Sequence, residues 1–292
     1  MKKTNNILKN SFLIPKIQFP ISATLLRGLF QETSALNKRL LIQIKRRPAT
    51  IIAGILQPLL WLILFGALFQ NAPIGLFSMS NSYRHFLTPG IIVFTAFTGA
   101  LNAGLPLMFD KEFGFLNRLM VAPLVSQLSI VTSSAFFIAT VSLVQTFLII
   151  SMMSLVGQTI SFSSLFLVIV ILFLLTCGLT MFSISLTFLL PGHIELLALI
   201  FVINLPLLFA STALVPFSFM PMWLQIMASL NPLSYAIETI RCIYFLQDCR
   251  LDTSVVQTIW GTCSLLEVIL LSIGLNLIMG NLVKYCIQAK IK

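Results

Sequence analysis

Apolar residues run through this chain in blocks of 20 or more, separated by short polar connections. The blocks at 51–70, 87–109, 130–156, 164–190, 195–215 and 259–283 hold almost no charged side chain. From Leu119 to Gly192, and again from Leu196 to Ile237, there is no Asp, Glu, Lys, Arg or His. Crossing about 30 Å of hydrocarbon takes roughly 20 mostly apolar residues, and a central charge costs about 2.5–3.5 kcal/mol on insertion scales. Backbone groups in lipid must bond to one another, so runs of this length predict helices. The apolar–polar alternation of a membrane barrel is absent. Six spanning helices are expected.

Ahead of the first block the period changes. Residues 1–23 carry no pattern and read as a flexible basic arm. Over 24–47, Leu25, Leu29, Leu36, Leu40 and Ile44 recur on one helical stripe, widened by Leu26 and Phe30. Glu32, Lys38, Arg39 and Lys45 fall mostly off it. This predicts an amphipathic helix lying in the headgroup plane and ended by Pro48. The connection from Val215 to Ile259 stays apolar over its first half, yet Pro216, Pro221 and Pro232 forbid one continuous spanning helix there. A broken apolar segment belongs at the interface or in a re-entrant dip shielded by protein, and Trp223 and Tyr235 suit the headgroup belt. The expected fold is an all-α membrane protein with six transmembrane helices. It adds an N-terminal interfacial amphipathic helix and a re-entrant segment before the last span. The transmembrane domain covers 48–285 and a basic tail 286–292.

Charge orients this arrangement. The 292 residues are 9% charged and 58% hydrophobic, with a net charge of +10. Ten of the eighteen Lys and Arg precede residue 48. Lys111, Arg118, Lys284, Lys290 and Lys292 share their side if there are six spans, leaving Arg84, Arg241 and Arg250 opposite. The positive-inside rule then puts both termini on the cytoplasmic face, or the stromal face of a plastid membrane. Basic groups so placed suit anionic headgroups, not nucleic acid. Pro15, Lys16, Pro20 and Arg27 break up any cleavable signal sequence, so the first span is expected to act as a signal-anchor. The five cysteines show no CxxC and no His pairing, which argues against metal; a Cys242–Cys249 disulfide stays open.

The chain contains no GxxxxGK[ST], HExxH or GxSxG and no paired carboxylates on a helix face. No catalytic, cofactor-binding or metal-binding residue is expected, and the chain is not read as an enzyme. Any ATP would be bound by another subunit. Asp110-Lys111-Glu112-Phe113-Gly114-Phe115-Leu116-Asn117-Arg118, followed by a terminating Pro123, concentrates two acids and two bases at one connection. It reads either as a solvated elbow or as a rigid lever. In the lever, Asp110 and Glu112 pair with Lys111 or Arg118, while Phe113, Phe115 and Leu116 press into a partner's groove. Glu267, about two turns inside the last expected span, is the one acid well within a span and a candidate pathway residue.

The segment 110–123 resembles the signature that follows the second span of ABC-2-type permeases, the membrane subunits of ATP-binding-cassette exporters. The nodulation and daunorubicin-resistance exporter permeases are the most similar subgroup. Asp110, Glu112, Gly114, Arg118, Leu119 and Pro123 match that signature. Lys111 replaces the usual Arg, and Asn117 stands where a base is common. A second stretch, 211–241, is similar to the family's re-entrant segment, with Asn231, Pro232, Leu233, Tyr235, Glu238 and Arg241 in register. The resemblance covers about residues 24–285 and extends to plastid-encoded members. It implies a half-transporter that dimerises with an identical copy and is driven by a separate ATPase. The coupling surface would then comprise 110–123 and the amphipathic helix. An exported lipid, glycan or amphipathic small molecule is the implied cargo. The alternative is an ion-coupled carrier or a membrane assembly factor not driven by ATP. A carrier, however, would bury several ionisable groups where this chain offers Glu267 alone.

Overall fold

The computed structural model describes residues 23–46, 48–69, 83–116, 118, 128–155, 161–246 and 253–291. Its order is α1 (Ala23–Lys45), α2 (Pro48–Leu68), α3 (Tyr83–Leu101), α4 (Gly104–Glu112), α5 (Leu128–Leu155), α6 (Phe162–Leu189) and α7 (His193–Phe209). Then come α8 (Met222–Leu230), α9 (Pro232–Leu246), a hairpin of β1 (Ser254–Thr258) and β2 (Gly261–Ser264), and α10 (Leu265–Ile291). Among the described residues, the α3–α4 run, α5, α6 and α10 are long and apolar enough to cross a membrane. The apolar stretches 54–68 in α2 and 193–209 in α7 are shorter. Residues 1–22 of the expected basic arm (1–23) lie outside the described residues, as do Asn117, Leu119, Pro123 and Cys249, whereas Ala23 already belongs to α1. Cys242 is buried.

The bundle is organised around α3, which packs on α2, α5, α6 and α9. Leu87, Ile92, Val93, Ala96, Phe97 and Ala100 are wholly buried there. The amphipathic helix α1 lies along α5, with Leu36 packed against a second, smaller core. Prolines shape the starts of α2 and α9, where a missing N–H costs nothing because the first turn has no acceptor for it.

The apolar block at 87–109, expected as one helix, is interrupted. Pro106 has no N–H for the carbonyl of Asn102, and its ring crowds that oxygen. Asn102 and Ala103 therefore form a turn, tightened by a bond from Leu105 N to Asn102 O of 3.1 Å. Helix α6 stitches the break: Ser183 Oγ accepts from Gly104 N at 3.0 Å and donates to the Leu101 carbonyl. Thr187 Oγ1 donates to Gly104 O at 3.1 Å. Only glycine allows this approach, since a Cβ on Gly104 would lie 2.7 Å from the Ser183 carbonyl oxygen.

The last apolar block begins later than its composition suggested. Ile259 and Trp260 are the tip of the hairpin, with Thr258 paired to Gly261, so helix starts only at Leu265. A capping box sets that start. Glu267 Oε2 accepts from Ser264 N at 2.8 Å, and Ser264 Oγ accepts from Glu267 N at 3.4 Å. Glu267 is thus an exposed first-turn residue occupied by its own helix end, not an acid two turns inside a span.

Candidate functional site

The elbow at the end of α4 grips three other helices with three consecutive charged residues of the last turn. Asp110 faces α1: Arg39 Nη2 donates to both of its carboxylate oxygens, at 2.7 and 2.9 Å. The Arg39 guanidinium also lies 4.1 Å above the centre of the Phe115 ring. Lys111 turns the other way, to the end of α6. Its Nζ donates to Thr187 O at 2.9 Å and to Leu190 O. The residue four beyond Thr187 is Pro191, which has no N–H to give, so the lysine fills a vacancy that the sequence itself creates. A cation is also favoured at the negative end of a helix dipole.

Glu112 takes the start of α7. It accepts from the backbone N–H of His193 at 2.6 Å, and its other oxygen meets His193 Nδ1 at 2.7 Å. A carboxylate there satisfies one of the orphan amides of a helix start and complements its dipole. The Phe109 ring stacks obliquely on His193, with centres 5.2 Å apart.

These partners correct the expected pairing of Asp110 and Glu112 with Lys111 or Arg118. The true partners, Arg39 and His193, lie 71 and 81 residues away in sequence. Leu116, expected to reach a partner, is 2% exposed and sits inside the second core; Phe115 is half-buried beneath Arg39. Phe113 does protrude, at 80% exposure, directly before Gly114, whose φ of 72° turns the chain as few other residues can. Arg118 is exposed. Among the described residues of the elbow, Phe113 and Arg118 thus face outward, on a base held from three sides.

The second motif is an internal pin. Asn231 Nδ2 donates to Leu207 O and Ala210 O, both at 2.8 Å, closing the end of α7. Its Oδ1 accepts from Leu233 N at 3.0 Å and caps α9, which Pro232 opens. Tyr235 donates its hydroxyl to Ser229 O at 2.8 Å, tying α9 back to α8. Arg241, buried, pairs with Glu238, donates to Thr212 O at 2.8 Å and stacks 3.8 Å from the Phe86 ring centre. Residues 211–241 thus form a turn, a short 3-10 helix at Phe217–Phe219, two α-helices and an ion pair whose arginine is buried, with α9 packed on α3.

Sequence reasoning missed Arg39, His193 and the carbonyls of Thr187 and Leu190. A weak signal existed in Pro191-Gly192-His193, which ends one helix and starts the next, leaving acceptors on one side and amide donors on the other. Among the described residues no group of three or more His, Cys, Asp or Glu could hold a metal ion.

Residues 31–245 match the family model described as ABC-2 type transporter. A protein of Porphyra purpurea named "Putative transport permease ycf38" is 52% identical over 280 residues, covering 96% of both chains. Its namesake in Pyropia yezoensis is equally similar over the same share. That of Cyanophora paradoxa is 61% identical over 215 residues, covering 73% of this chain and 74% of its own. A membrane bundle with this elbow and this extent of similarity belongs to the ABC-2 type transporter family of membrane permeases.

Proposed function

We propose that the chain is the permease subunit of an ATP-binding-cassette exporter, driven through its elbow by a separate ATPase. The observation that supports this best is the triple grip of Asp110, Lys111 and Glu112 on α1, the end of α6 and the start of α7. A push on such an elbow moves three helices together. Phe113, exposed beside Gly114, is the contact that an ATPase groove would take. In this reading six crossings come from α2, the α3–α4 run, α5, α6, α7 and α10, and α8–α9 dip into the membrane without crossing. At 1.5 Å per residue, α7 reaches only about 25 Å, so it would cross with the turn at 210–216 completing its path. Two identical copies would form the pathway, with lipid, glycan or an amphipathic small molecule as cargo. The similarity to algal permeases supports a plastid membrane, with both termini stromal; the same charge pattern would suit a bacterial inner membrane.

Phe113→Asp tests this without disturbing the core. It should abolish both co-purification of an ATPase subunit in mild detergent and ATP-dependent transport, while insertion and thermal stability stay at wild-type levels. Transport that persists without ATP or any attached ATPase would instead favour an ion-coupled carrier or an assembly factor.

A further inference from the structure

A cavity of about 650 Å³ lies among α1, α2, α3, α4 and α5, beside the break at Asn102. That volume is in the range of small-molecule sites. One part of its wall is polar, from Gln43, Gln57, Thr98, Asn102, Ser142 and Gln145. The rest is aliphatic or aromatic, including Leu40, Ile44, Phe109 and Phe137. Among the described residues that line it, none is Asp, Glu, Lys, Arg or His. The nearby charges of Arg39 and Asp110 are spent on each other.

One hydroxyl of this polar wall has no partner among the described residues. On α5, Ser133, Ser134, Thr140 and Ser151 each return their hydroxyl to a carbonyl of the preceding turn. Ser142, which lines the cavity, does not: its Oγ is buried and, like Thr146 Oγ1 further along α5, has no hydrogen-bond partner among the described residues. Gln145, 7% exposed, reaches the same wall three residues on. Two glycines make room for these side chains. A Cβ at Gly99 would lie 3.1 Å from Ser142 Oγ, and one at Gly54 would collide with the Gln145 amide. Pro58 has no N–H to offer the Gly54 carbonyl, and Pro106 breaks the helix at Asn102. Irregular backbone at membrane depth is tolerated where it lines a polar cavity.

We propose that this cavity binds an amphiphile whose headgroup is uncharged and rich in hydroxyls, with its hydrocarbon part against Leu40, Ile44, Phe109 and Phe137. Amide and hydroxyl side chains exchange hydrogen bonds with hydroxyls in either direction. An ionised headgroup would lie here without a counter-charge, and desolvation would oppose it. The inference rests on the permease reading and gives its cargo a class: a neutral, sugar-like lipid.

The test uses the purified full chain in detergent with a photoactivatable diacylglycerol bearing one uncharged sugar. A probe with the same chains and a phosphate headgroup is the comparison. The sugar probe should label residues 137–145, and Gln145→Leu should lower that labelling about three- to tenfold, as for one lost hydrogen bond. Ser142→Ala, which removes one oxygen and leaves the packing, should lower it about twofold or more. Equal labelling of 137–145 by the phosphate probe would overturn the headgroup assignment. Labelling spread over α2, α7 and α10, and unchanged in both variants, would overturn the site. Neither ATPase nor nucleotide is present, so failure here leaves the elbow untouched, and failure of Phe113→Asp to release an ATPase leaves this labelling untouched.

Discussion

Arg241 shows how a single side chain can hold a membrane fold together. Its guanidinium is buried between Glu238, the Thr212 carbonyl and the Phe86 ring, so it joins the turn after α7 to both α9 and α3. A buried charge is tolerated only when paired and hydrogen-bonded, and removing one member strands the other. Arg241→Met should therefore lower stability by about 3–5 kcal/mol, read as unfolding in detergent. Adding Glu238→Gln should recover part of that loss. A variant as stable as wild type would mean that the pin carries no structural load. Glu267 teaches the opposite lesson. Its charge drew attention because the surrounding sequence is apolar, but its carboxylate is engaged by the amide of Ser264, three residues earlier.

At the scale of elements, the joint between α3 and α4 depends on a glycine, a proline and two hydroxyls of α6. Gly104→Ala should cost about 1–3 kcal/mol, because the added methyl must displace the Ser183 backbone, Ser183 Oγ or Thr187 Oγ1. The measurement is the thermal midpoint of the purified protein; no shift would show that α4 can slide along α6 without loss. Much of this level was legible beforehand. The amphipathic stripe of α1, the apolar blocks of α5 and α6, and the broken stretch at 211–241 follow from periodicity and proline placement, and all appear as helices or helix breaks. The interruption at Asn102 was written in Pro106 but hidden by the apolar residues around it. The hairpin at 254–264 was masked because Ile259, Trp260 and Cys263 look like the start of a span. Which partners Asp110 and Glu112 would find could not be read, even where Pro191-Gly192-His193 marked open donors. They come from helices brought close only by the folded bundle, and local patterning carries no information about such contacts.

At the scale of the whole molecule, large apolar side chains cover the outside. Leu64 on α2, Phe201 and Val202 on α7, and Leu277 and Ile278 on α10 are each more than half exposed. A hydrocarbon environment explains such a surface, whereas water would drive it to aggregate. Single cysteines at Arg118 and Lys284, introduced into a background without native cysteines, should react with a membrane-impermeant reagent from one and the same face, that of the amino terminus. Reaction of the two from opposite faces would dismantle the proposed topology. What makes the bundle a machine, in this account, is the motor at its elbow. A photo-crosslinking amino acid in place of Phe113, activated in native membranes, tests this most directly. The expected product joins this chain to an ATP-binding-cassette ATPase. Adducts with lipid alone, or an ATPase captured only from positions away from the elbow, would contradict it.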